Sequence, residues 1–206
     1  MTRTLIGDYA AVNAQLDEVI ALAEKKGGLL WKAFGIVFQG DVFALTGKAS
    51  DATHMISSGI SAIRSTGSTL WIPLHLSYLT RAYAQTNIEE ARRSIDEALT
   101  LIERTEDRWC QAEVTRVAGE IALQLPECDT SKAEAYFECA LAVARRQQAK
   151  SWELCASMSL ARLWRDQGKV QQARELLAPV YGWFTEGFDT RDLKDAKALL
   201  CELAQM

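Results

Sequence analysis

The chain has 206 residues, 49% of them hydrophobic and 24% charged, with only 3 Pro and 12 Gly. These proportions exclude a disordered or fibrous chain, and so few turn formers exclude a sandwich or barrel; the abundance of Ala, Leu, Glu, Arg and Gln points to an all-α fold. The net charge of −4, with no basic block, lacks the electrostatic footprint of a nucleic-acid binder or of a protein held on anionic lipid, so neither partner is expected.

Caps and breakers predict ten helices in chain order. The first covers about 8–26 and ends at Gly27-Gly28. A second, about 29–46, stops at Gly47, and a third, about 50–65, stops before Gly67. Ser68 or Thr69 opens the fourth, about 69–86, with Pro73 in its first turn, where the missing N–H costs little. Asn87 with Glu90 reads as a capping box for 88–104. Asp107 opens 108–125, Pro126 falls in the next loop, and 130–148 follows. Ser151 opens 151–167, which stops at Gly168. The ninth helix, 170–184, contains a kinking Pro179, and Asp189 opens a last one over 190–204.

These helices fall into repeats. Trp31, Trp71, Trp109 and Trp152 stand 40, 38 and 43 residues apart. Nine residues after each comes Gly40, Thr80, Ala118 or Ala161, and three further on Phe43, Tyr83, Ile121 or Trp164. Then come Ala52, Ala91, Ala133 and Ala173, each followed at four residues by Ile56, Ile95, Phe137 or Leu177 and at seven by Gly59, Ala98, Ala140 or Val180. Small residues let two helices approach, large ones fill the groove beside them, and hairpins of this kind stack to bury both faces. The spacing resembles the tetratricopeptide repeat (TPR), with a period near 40 instead of 34. The expected architecture is one domain over 1–206, an all-α TPR-like αα-hairpin solenoid of about four repeats. It has a leading half-repeat and a C-terminal capping helix formed by Leu193, Ala196, Leu199, Leu200 and Leu203.

Two segments, RSIDEALTLIERTEDRWCQAEVTRVAGEIAL and AEAYFECALAVARRQQAKSWELCASMSLARLWRDQGKVQQARELLAPVYGWFTEGFDTRDLKDAKALL, carry a further resemblance. They resemble the C-terminal helical tail of bacterial signalling proteins that join a class III adenylate/guanylate cyclase domain, or a winged-helix DNA-binding domain, to an AAA-type ATPase. The resemblance implies a regulatory tail without catalytic parts, working with a cyclase or ATPase domain. It also implies an Arg at position 155, where this chain has Cys155.

No catalytic pattern is present. The string nearest a P-loop is Gly47-Lys48-Ala49, with Val42 where its first Gly belongs. No G-x-S-x-G or G-x-G-x-x-G occurs, and Glu89-Glu90 and Glu106-Asp107 are neighbours that point to different helix faces. Five cysteines without a C-x-x-C read as free thiols of a reducing cytoplasm. His54 and His75 are far apart, so neither a metal site nor a cofactor is expected. Residues Met1–Asp8 meet a charge before any signal-peptide core, and the uncharged run Ser65–Thr80 is too short to span a bilayer.

A non-enzymatic scaffold that binds a protein or peptide is therefore expected, and a small-molecule effector sensor is the alternative. In TPR proteins the first helix of each hairpin lines the inner groove. That register places Phe34, Val37, Asp41 and Leu45 inward in the first repeat, and Leu74, Ser77, Arg81 and Gln85 in the second. Thr115 follows in the third, and Met158, Arg162 and Arg165 in the fourth. An apolar floor with Arg forks suits a peptide or helix with an acidic side chain. Three other features receive structural readings: the repeat tryptophans as packing wedges, His75 as a partly buried helix residue, and Arg145-Arg146-Gln147-Gln148 as a solvated helix end. The first helix aligns with the second helix of a repeat, so Val12, Leu16, Val19 and Ile20 are expected to form an uncovered apolar face available to another domain or to a homodimer.

Overall fold

The computed structural model describes residues 8–206, so the reading of Met1–Gly7 lies outside the described residues. The described residues form ten helices and no strand. They are α1 Tyr9–Lys26, α2 Leu29–Leu45, α3 Ala49–Ser65, α4 Ile72–Tyr83, α5 Ile88–Thr105, α6 Gln111–Gln124, α7 Thr130–Arg146, α8 Lys150–Asp166, α9 Val170–Gly182 and α10 Arg191–Leu203. They group into two compact units, 8–106 and 107–206. The first holds α1 and the hairpins α2–α3 and α4–α5. The second holds the hairpins α6–α7 and α8–α9, with α10 packed against α8 and α9.

Small residues set the packing inside each hairpin. Ala52, Ala91, Ala133 and Ala173 are all fully buried, each on the second helix of its pair. A Cβ added at Gly59 would lie 2.5 Å from Val37 Cγ2, one at Gly40 would lie 2.6 Å from Ile56 Cγ1, and one at Gly119 would lie 2.5 Å from Phe137 Cε1. Helices that approach this closely leave room for Ile56, Phe137 and Leu177 beside the contact, and all three side chains are buried. The C-terminal cap follows the sequence reading. Leu193, Ala196, Leu199 and Leu203 of α10 close a core with Leu154, Met158, Ala161, Ala173 and Leu177.

Helix ends obey local chemistry, with several departures from the sequence reading, among them Thr190 instead of Asp189 as the N-cap of α10. Asp8, Asn87 and Asp129 each accept a hydrogen bond from a first-turn N–H, at 3.2, 3.3 and 2.8 Å. The fourth helix starts at Ile72 instead of Ser68 or Thr69, because Ser68 spends its hydroxyl on the Leu70 N–H in a turn and Trp71 takes a left-handed φ of 60° as N-cap. α6 starts at Gln111, with Cys110 and not Asp107 as its N-cap. Ala149, not Ser151, precedes α8, and α9 stops at Gly182, short of the expected 184.

Ala133→Arg forces a cation into a fully buried contact between helices, so a loss of about 3 kcal/mol or more is expected in a urea melt. Glu106→Arg, on the exposed linker after α5, should leave the midpoint within about 0.5 kcal/mol of the parent.

Candidate functional site

In unit 1 the first helices of the two hairpins, α2 and α4, pack side by side and present a ladder of rings. Trp31, Phe34 and Phe38 rise at helical spacing on α2; Trp71, His75 and Tyr78 answer on α4. Ring centroids lie 5.3 Å apart for Phe34–Trp71, 5.7 Å for Phe38–His75 and 6.3 Å for Phe38–Tyr78, within the range of favourable aromatic contacts. At the far end the ladder turns polar. Arg81 Nη2 donates to Asp41 Oδ1 at 2.8 Å, its guanidinium lies 5.1 Å from the Tyr78 ring centre, and Gln85 reaches the Ala44 and Arg81 carbonyls. At the near end the ladder opens to solvent: Trp31 is 62% exposed, with exposed Leu29 and Leu70 beside the half-buried Trp71.

His75 sits in the middle of this ladder. It is completely buried, and neither ring nitrogen has a hydrogen-bond partner among the described residues. Burial lowers its pKa to about 4, so the imidazole is neutral at pH 7. The expected partly buried helix residue is therefore a fully buried one, held by the rings of Phe34, Phe38, Trp71 and Tyr78.

In unit 2 the corresponding helices, α6 and α8, carry charges where unit 1 carries rings. Arg116 is buried and makes a fork to Glu113, with both oxygens at 2.8 Å, a bond to Glu120, and one at 3.3 Å to Ser159 Oγ on α8. Burial alone would depress this guanidinium, but Glu113 and Glu120 hold its pKa above the ordinary value. Cys155 Sγ lies 3.7 Å from Asp192 Oδ2 on α10. Burial raises both pKa values, and the Glu113 charge adds to each. Arg165 bonds Glu202 on α10 at 2.8 Å and Asp166 at 2.9 Å. Nearby, Glu153 is buried under Arg145 Nε at 3.1 Å and Lys150 Nζ at 2.6 Å; burial would raise its pKa, but the two cations outweigh this and lower it. Arg145, Gln148 and Lys150 line an open cleft with the exposed Trp183.

Part of the sequence register points into the floor, and several contacts between neighbouring first helices lie one residue further on. Val37, Ser77, Thr115 and Met158, each six after its tryptophan, are buried, as are Phe34 and Leu74. They form the floor and offer little surface to a partner. The residues seven after each tryptophan make the contacts between neighbouring first helices: Phe38 meets Tyr78, and Arg116 meets Ser159. At 3.6 residues per turn, position seven returns to the tryptophan's own face, whereas position six lies well off it. Of the remaining candidates, Asp41 and Arg81 pair with each other and Gln85 donates to the Arg81 carbonyl, Leu45 is half-buried, Arg165 is tied to α10, and the half-buried Arg162 makes no ion pair among the described residues. The tryptophans sit at helix starts and pack between neighbouring hairpins, Trp71 on Phe34 and Phe38 and Trp109 6.0 Å from Trp152, with Trp31 and Trp109 also exposed and Trp71 and Trp152 half-buried. The run 145–148 is a solvated helix end as expected, with Arg145, Arg146 and Gln148 exposed, and it is tied down by the Arg145–Glu153 pair and by Gln147, which donates to the Arg108 carbonyl. Glu113 and Arg116, three apart on one helix, were legible as a pair; their burial was not.

The hairpin order, the buried alanines and the closing helix decide the fold. Comparison with solved structures gives it a name. This chain has the fold of TPR-like repeat proteins. BtubC (BKLC) from P. vanneervenii superposes with a TM-score of 0.65 at 14% identity, covering 100% of this chain and 90% of that one. Two crystal structures of a Podosopora anserina putative kinesin light chain with nearly identical TPR-like repeats match with TM-scores of 0.59 and 0.57 at 15% and 14% identity, over 100% of this chain and 93% and 94% of theirs. No family model and no curated protein matches. Among the described residues of this TPR-like chain, no helix is long and apolar enough to cross a membrane.

His75 makes a pH prediction. Its folded pKa of about 4 lies below the unfolded value of 6.5, so only the unfolded chain takes up the proton between these limits. Stability from this group is complete above pH 6.5 and falls by about 3 kcal/mol as pH drops to 4. Thermal melts at pH 7 and 5 should show a smaller acid-induced drop for His75→Leu than for the parent.

Proposed function

We propose that this chain is a non-catalytic interaction scaffold whose α2–α4 face receives an apolar segment of a protein partner. One observation carries the reading: a continuous aromatic strip runs from the exposed Leu29, Trp31 and Leu70 down to the Asp41–Arg81 pair. Exposed apolar patches rimmed by polar groups mark contact surfaces, and Trp and Arg are the side chains that most often dominate binding energy. At its open end Trp31, with the half-buried Trp71 and Phe38, supplies large, rigid rings for apolar anchors. Gln85, exposed at its polar end, offers hydrogen bonds that would fix the register of a bound helix or extended chain.

The resemblance to the tails of cyclase and ATPase signalling proteins supplies a setting for this scaffold. There the strip would hold a segment of a catalytic domain, supplied in the same polypeptide or by another. No P-loop or nucleophile pattern stands in the sequence, so the purified chain is expected neither to hydrolyse nor to cyclise ATP.

Peptides selected from a random display library on the full chain test the proposal. Their affinity, measured by calorimetry, should fall at least about tenfold on Trp31→Ala and be unchanged by Trp183→Ala on the other unit. Selected peptides that bind equally well to both variants would contradict it.

A further inference from the structure

The outer stripe of α1 carries an inference independent of the aromatic strip. The sequence reading placed Val12, Leu16, Val19 and Ile20 on one uncovered face. The structure divides that set. Val12 and Ala23 are buried, and Ile20 packs on Gly35 of α2, where an added Cβ would lie 2.7 Å from Ile20 Cγ1. Two acidic residues of α1 are also committed to α2: Asp17 Oδ1 accepts from Gln39 Nε2 at 2.8 Å, and Glu24 pairs with Lys32 at 2.6 Å.

What faces away from α2 is a different row. Leu22 is 59% exposed, and Val19, 44% exposed, stands at the edge of this row, its Cγ1 3.8 Å from where a Cβ on Gly35 of α2 would lie. Glu18 and Lys26 are exposed beside them, and neither makes an ion pair or hydrogen bond among the described residues. Glu18, Leu22 and Lys26 are four apart, so they lie one above another on the helix, an acid and a base each about 6 Å along the axis from a central leucine. This order is self-complementary. When two such helices meet antiparallel about a two-fold axis at Leu22, Glu18 of one lies opposite Lys26 of the other, twice. Leu22 meets its own copy, and Val19 lies against the aliphatic stem of Lys25.

We propose that α1 is a self-association surface, and that its partner is the same helix of a second copy of this chain, antiparallel about Leu22. The charge order selects this occupant: a parallel copy would set Glu18 on Glu18 and Lys26 on Lys26. A single helix face buries less than the roughly 1,200 Å² of a standard interface, so the association is weak and concentration-dependent.

Charge exchange in the full chain tests it by sedimentation equilibrium up to a few hundred micromolar, with circular dichroism confirming that each variant is folded. The parent should shift toward twice the monomer mass as concentration rises. Glu18→Lys and Lys26→Glu should each be monomeric, since each sets like charges opposite one another. An equimolar mixture of the two should dimerise again, because the two cations on α1 of the Glu18→Lys chain then face the two carboxylates on α1 of the Lys26→Glu chain. The double variant with both exchanges should dimerise as well. Leu22→Glu should be monomeric. A monomeric parent over this range overturns the proposal, and so does a dimer that survives both single exchanges or a mixture that fails to re-form one.

Discussion

Everything else in the structure follows from how closely two helices of a hairpin approach. The approach is set where one helix presents an alanine or glycine and the other a bulky side chain beside it. At Gly59 and Gly119 there is no room for even one more carbon against Val37 and Phe137. Four such hairpins on a period near 40 residues produce parallel rows of first helices within each unit. Those rows decide which side chains can meet: residues far apart in sequence, such as Asp41 and Arg81 or Arg116 and Ser159, become neighbours because the scaffold repeats.

The same geometry serves two different chemistries. In the unit 8–106 the contact row between first helices is aromatic, with a neutral imidazole enclosed by four rings. In the unit 107–206 it is ionic, with one buried guanidinium held by two glutamates. A buried fork of this kind is costly to desolvate and contributes little net stability, yet removing one partner would strand a charge. Asp192 adds a third carboxylate near the fork, facing Cys155. The aromatic row opens to solvent at Trp31, which makes it the better candidate for a partner's apolar side chains. The ionic row is largely occupied with itself.

Most of the fold was legible from residue spacing, because the alanine and bulky positions follow from helix packing alone. The ten helices appear where caps and glycines place them, apart from shifts of a few residues at starts such as Ile72 and Gln111, where a local turn outcompetes the obvious cap. The contacts between neighbouring first helices were less legible. A register copied from the repeat pattern chose Val37, Ser77, Thr115 and Met158, while the contacts run through Phe38, Tyr78, Arg116 and Ser159. One residue turns a side chain by about 100°, enough to exchange floor for contact. The orphaned imidazole of His75 was not legible at all, since its burial depends on rings contributed by a helix forty residues away.

The claim that helix approach is limited by side-chain volume is tested most directly by a double-mutant cycle on Gly119 and Phe137. Gly119→Ala adds a Cβ whose nearest neighbours are atoms of the Phe137 ring, and Phe137→Leu makes room for it at the expense of buried contact. Urea melts of the parent, both single variants and the double variant give the coupling energy. The double variant is expected to be more stable than the sum of the single losses by about 1 kcal/mol or more. Single losses that add to within about 0.5 kcal/mol would contradict it.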